Sequence, residues 1–147
     1  MKQTVLQEFH SLSQEQTEQF AAGILDKLKS GETVLLFGTL GSGKTFLVKA
    51  LVRLLGSNAE ATSPSFAILN QYEGPVSVNH LDLYRIADKR ELINLGLEDL
   101  WDSAAINFVE WPQLIEDQIQ WPHYRIYIEI DNTNNKGRIF KLIRYNG

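Results

Sequence analysis

A three-layer α/β sandwich on a mixed central sheet, closed by a C-terminal strand pair, is predicted by three features of this sequence. The string Gly38-Thr39-Leu40-Gly41-Ser42-Gly43-Lys44-Thr45 reads G-x-x-x-x-G-K-T between an apolar run at 33–37 and an amphipathic stretch at 46–55. That is the strand–loop–helix setting of a phosphate-binding loop. Apolar runs of strand length alternate with segments of helical period along most of the chain. Two strand-like segments joined by an Asn-rich turn come last. Together they predict a P-loop NTPase-like sandwich in a single domain, residues 1–147. An apolar fraction of 44% over that length supplies one well-buried core and not two.

The elements follow in order. Ser13-Gln14-Glu15-Gln16 has the form of a capping box, and Phe20, Ala21, Ile24, Leu25 and Leu28 recur at helical spacing until Gly31. The strand at 33–37 follows, then the phosphate loop. Leu47, Val48, Leu51, Leu54 and Leu55 give the next helix its apolar face, and Gly56 ends it. Segments 66–72 and 76–83 read as a hairpin around Glu73-Gly74-Pro75, which makes the sheet mixed. Asp88-Lys89-Arg90-Glu91 is a second cap, leading Leu92, Ile93 and Leu95 into a short helix that breaks at Gly96. Residues 105–109 form a buried strand. From 124 to 130 the pattern alternates, with Tyr124, Ile126, Ile128 and Ile130 on one face and Arg125, Tyr127 and Glu129 on the other, as in a half-exposed strand. A turn at 131–137 returns the chain into a last strand at 138–144.

Composition narrows the function classes. Cysteine is absent, no charged-then-apolar leader opens the chain, and no apolar run approaches the length that crosses a bilayer, so the cytoplasm is the expected address. A net charge of −4 argues against a protein that grips nucleic acid alone through a broad basic face. Arg125, Lys136, Arg138, Lys141 and Arg144 make the terminal strand pair basic, read here as a charged sheet edge that resists aggregation rather than a nucleic-acid contact.

The chemistry is concentrated at the loop. Its glycines allow positive-φ conformations, so that successive backbone N–H groups turn inward around phosphates. Lys44 brings a mobile charge to the outer phosphates, and Thr45 offers its hydroxyl to a magnesium ion at the helix N-terminus. Magnesium with a nucleoside triphosphate is the implied ligand. The absence of an Asn-Lys-x-Asp element leans toward ATP over GTP. Hydrolysis further needs a carboxylate at a strand end, and two qualify: Glu110, directly after the apolar run 106–109, and Asp82, at the end of another apolar strand. Thr62, Ser63, Pro64, Ser65 and Phe66 place hydroxyls around a proline, the make-up of a switch segment.

These residues carry a resemblance. The loop GTLGSGKT, Ser63-Pro64-Ser65-Phe66, His80-Leu81-Asp82-Leu83-Tyr84-Arg85, Leu95-Gly96-Leu97-Glu98-Asp99 and Val109-Glu110-Trp111-Pro112 occur in the order and at the intervals of the TsaE (YjeE) family. That family is the ATPase component of bacterial tRNA threonylcarbamoyladenosine synthesis. The resemblance implies an ATPase working with TsaB and TsaD, which transfer a threonylcarbamoyl group to an adenosine beside the anticodon while the ATPase resets the assembly. By position it implies that Thr45 and Glu110 are magnesium ligands and that Asp82, Glu110 and Lys44 serve hydrolysis. It further implies that Ser63 to Phe66 respond to nucleotide, that Trp111 faces the partner, and that Thr17 and Arg138 lie near the base. His80 matches the family's histidine before the acidic residue, which on a strand reads as a packed, hydrogen-bonded side chain.

Thr39, Phe46 and Ser65 depart from the family pattern, replacing an acidic residue, a hydroxyl residue and a threonine; backbone amides and Lys44 supply most of the cradle, so these changes bear on turnover rather than binding. Arg85 and Arg90, the arginines nearest the motifs in sequence, have no finger context, so the expected ATPase is slow alone and accelerated by partners. Two alternatives stand beside it: a small-molecule P-loop kinase, for which no lid segment is evident, and a non-catalytic nucleotide-gated assembly module.

Overall fold

The computed structural model describes residues 2–57, 68–133 and 137–147. The predicted switch, Thr62, Ser63, Pro64, Ser65 and Phe66, therefore lies outside the described residues, as does Lys136.

Seven strands form one sheet: β1 (Gln3–Ser11), β2 (Thr33–Gly38), β3 (Leu69–Tyr72), β4 (Val78–Asp82), β5 (Ile106–Glu110), β6 (His123–Ile130) and β7 (Arg138–Tyr145), in the spatial order β1-β7-β6-β2-β5-β4-β3. The centre β6-β2-β5-β4 is parallel, while β7 and β1 on one side and β3 on the other join antiparallel. The mixed sheet and the terminal pair are as the sequence predicts.

Alternation along β2 sorts the layers. Val34 and Leu36 pack with Phe20 and Ile24 of α1 (Gln14–Ile24) and with Leu47 and Leu51 of α2 (Lys44–Leu54). Leu35 and Phe37 face the other way, onto Leu92, Leu100, Ile115 and Ile119. That second covering layer is built from α3 (Leu97–Asp102) and the 3-10 turns Lys89–Leu95, Pro112–Leu114 and Glu116–Gln118. Ser13 caps α1 by accepting from the Gln16 N–H, and Gln16 reaches back to the Leu12 N–H at 2.7 Å. Among the described residues no helix is long and apolar enough to cross a membrane.

The structure adds one element and corrects two expectations. β1 is not foreseen in the sequence; it pairs with β7 along its length, with a register shift between Val5 and Gln7. The segment after Asp88 has the predicted capping box and a left-handed Gly96 (φ 65°) at its end, but it winds as a 3-10 helix. Finally, β6 is not half-exposed: Arg125 retains 6% exposure because the turns at 112–118 lie over its face.

Candidate functional site at the phosphate loop

The carboxyl ends of β2, β4 and β5 meet at the start of α2. In β2, Gly38 permits the loop to fold back, since a Cβ there would come 2.4 Å from Ser42 Oγ and 3.0 Å from the Ile128 carbonyl. Gly41 and Gly43 have φ of 79° and 107°, and a Cβ at either would meet nothing within 4 Å. Two requirements thus coincide: a left-handed backbone, and open space on the side where a ligand would approach.

Lys44 and Thr45 stand where the loop becomes helix. Lys44 Nζ donates to the carbonyls of Gly38 at 2.6 Å and Thr39 at 3.1 Å and lies 4.1 Å from the centre of the Trp111 ring. Burial pushes its pKa down, against the opposing pull of Glu110 and Asp82. The Thr45 hydroxyl lies within donating reach of both Glu110 oxygens, at 3.0 and 3.1 Å.

Register explains why the acidic residues converge here. Asp82 of β4 is directly beside Glu110 of β5, and His80 stands two residues back on the same strand and face. Glu110 is buried, and His80 Nε2 lies 2.5 Å from its Oε2. Asp82 accepts the Tyr84 N–H at 3.0 Å; burial pushes its carboxyl above the ordinary aspartate value. Trp111, next after Glu110, holds φ 55° and is the one positive-φ residue other than glycine among those described. Such a conformation in a bulky side chain marks a position fixed by its surroundings, here Lys44 on one side and the Tyr84 ring at 4.8 Å.

Arg138 of β7 reaches the site from the strand pair, donating from Nε to the Ser42 carbonyl at 2.9 Å and from Nη2 to that of Gly41 at 3.3 Å. Thr17 is buried and shares a 2.8 Å hydrogen bond with Ser11, which pairs in register with Arg138. Thr17 thus connects to the loop only through Ser11 and Arg138, while Lys44, Thr45, Asp82, Glu110, Trp111 and Arg138 gather at the loop itself. Leu40, at the loop tip, is exposed. Two buried polar side-chain atoms lack a partner among the described residues, Ser42 Oγ and His80 Nδ1, and both belong to this cluster.

The donor set of hydroxyl and carboxylate suits a hard divalent cation. Among the described residues no three His, Asp or Glu side chains converge as a closed metal cage. Two contacts went unread in the sequence: the His80–Glu110 pair and the Arg138 tie to the loop carbonyls. The H-x-D spacing places His80 and Asp82 on one face of β4, but the Glu110 contact depends on the register of β4 with β5.

Residues 11–140 match the family model described as "Threonylcarbamoyl adenosine biosynthesis protein TsaE". The chain belongs to the TsaE family. A protein of Rickettsia bellii named "tRNA threonylcarbamoyladenosine biosynthesis protein TsaE" is 33% identical over 80% of this chain and 83% of its own. A protein of the same name from Bacillus subtilis is 32% identical over 88% of this chain and 80% of its own. The crystal structure of Bacillus subtilis YdiB superposes with a TM-score of 0.79 at 25% identity, over 97% of this chain and 87% of that one. The family match takes in the phosphate loop, His80, Asp82, Glu110 and Arg138, so the whole cluster lies inside the shared region.

Proposed function

We propose that this chain is a magnesium-dependent ATPase of the P-loop NTPase type that serves threonylcarbamoyladenosine modification of tRNA, in the cytoplasm, together with TsaB and TsaD. Membership of the TsaE family supports the pathway. The observation that carries the chemistry is the Thr45 hydroxyl set on both oxygens of a buried Glu110, beside Lys44 at the mouth of the loop.

Lys44 and the loop amides bind and orient the phosphates. Thr45 and Glu110 would hold magnesium, which would supply charge neutralisation at the phosphates. Asp82, with its carboxyl raised by burial, takes a proton more readily than an ordinary aspartate and orients the attacking water beside Glu110. Trp111 covers Lys44 and faces the partner. Thr17 lies on the adenine side, and Arg138 holds the shape of the loop by its carbonyl contacts. The segment from Thr62 to Phe66 senses the terminal phosphate.

Turnover is slow in the isolated chain because Arg138 is engaged with the loop and the arginines nearest the motifs in sequence face solvent. Arg138 is tied to the loop carbonyls, Arg90 is paired with Asp88 at 2.7 Å, and Arg85 is exposed. An arginine over the transferring phosphate contributes about 10³ to 10⁵ in rate. Phosphate release by the isolated chain and by the mixture with TsaB and TsaD tests this. Stimulation of about 10³-fold or more is expected where a partner supplies that arginine. Brisk hydrolysis by the chain alone, unchanged by partners, would remove the partner requirement.

A further inference from the structure

We propose that His80 is a positioning residue for Glu110, selecting the rotamer in which the carboxylate presents an oxygen to a divalent cation. The inference rests on the reading of Glu110 as a magnesium ligand and adds what holds it there. His80 is fully buried on β4, two residues behind Asp82 and on the same face. Its Nε2 meets Glu110 Oε2 at 2.5 Å, while Nδ1 has no partner among the described residues.

The geometry fixes which ring nitrogen matters. Glu110 is almost entirely withdrawn from water, and a carboxylate so placed needs donors for both oxygens. The Thr45 hydroxyl has one proton to give, although both oxygens lie within its reach. An N–H from His80 Nε2 supplies the second donor, as a charge-assisted hydrogen bond. Oε2 is thereby held toward β4, and the carboxylate as a whole is kept within 3.0 and 3.1 Å of the Thr45 hydroxyl, where the two residues would hold a cation. Among the described residues Nδ1 has no hydrogen-bond partner, so the Nε2 contact is the polar one that orients the ring.

Three variants separate positioning from packing. In His80→Gln the amide nitrogen falls near the place of Nε2, in His80→Asn near that of Nδ1, and His80→Leu keeps bulk with no donor. ATP binding is measured by calorimetry across a magnesium titration and again in excess chelator, with thermal melts confirming that each variant is folded. For His80→Leu and His80→Asn, half-saturation is expected to need about 10- to 100-fold more magnesium, the usual cost of losing a partner behind a metal ligand. His80→Gln should recover most of the wild-type dependence, and metal-free ATP binding should be equal in all four proteins. If His80→Leu does not fold, the Gln and Asn pair decides alone. Equal magnesium dependence in Gln and Asn, or equal weakening with and without metal, would overturn the inference. Failure of the wild type to bind ATP with magnesium would instead defeat the ATPase reading.

Discussion

The protein buries two histidine-centred clusters, and they are built differently. At the phosphate loop, His80 meets Glu110 through one nitrogen and has no partner for the other among the described residues, while Lys44 turns back on loop carbonyls and Asp82 is held above its ordinary pKa by burial. Beneath the turns at 112–118, every contact of the second cluster is returned. His123 Nδ1 donates to the Trp121 carbonyl at 2.8 Å, and Nε2 accepts from Arg125 Nε at 3.0 Å. Arg125 then pairs with Glu116 at 2.9 Å and lies 4.5 Å from the centre of the Tyr145 ring. The difference teaches how to separate a site from a brace: the brace satisfies its own polar atoms, whereas the site keeps valences for something that arrives.

The largest contrast comes from Glu110→Gln. Hydrolysis should fall by about 100-fold or more, because a metal ligand is lost, while unfolding in denaturant shows stability unchanged or raised by about 1 kcal/mol as a buried charge disappears. A matching loss of stability would make Glu110 a brace as well and erase the distinction.

Arg125→Met should act in the opposite sense. Removing the guanidinium leaves His123 Nε2 without its donor, and stability should drop by about 1–3 kcal/mol in a urea titration. The affinity for ATP with magnesium should change less than about twofold, within the scatter expected of distant sites.

The smallest effect is a pH dependence, and its sign sharpens the comparison. Burial, reinforced by the Arg125 and Arg144 cations, holds His123 below its ordinary imidazole value. The unfolded chain therefore takes up this proton first, below about pH 6.5. The stabilising contribution is complete above that pH and is lost as pH falls toward the folded pKa, with a slope of at most about 1.4 kcal/mol per pH unit. In His123→Gln the acid limb of a stability–pH curve should be shallower than in the wild type. An unchanged limb would mean that the ring titrates alike folded and unfolded.

Legibility followed how local each signal is. Lys44 and Thr45 sit in one string, and Glu110 and Asp82 end apolar runs, so loop and acids were readable. The His80–Glu110 contact depends on the register of β4 with β5 across 30 residues, which no window of sequence displays. β1 escaped notice because an edge strand leaves Val5 and Leu6 exposed and its register shift interrupts the period-2 pattern. Arg125 read as solvent-facing because it alternates with isoleucines. It is covered by single 3-10 turns carrying Ile115 and Ile119, too short to show any periodicity.

Calorimetric titration of the chain with a slowly hydrolysed ATP analogue, with and without magnesium and against Lys44→Ala, tests the central claim most directly. Saturable one-to-one uptake is predicted, tightened by magnesium and lost in the variant. Absence of uptake in the wild type, or uptake indifferent to both Lys44 and the metal, would contradict the account.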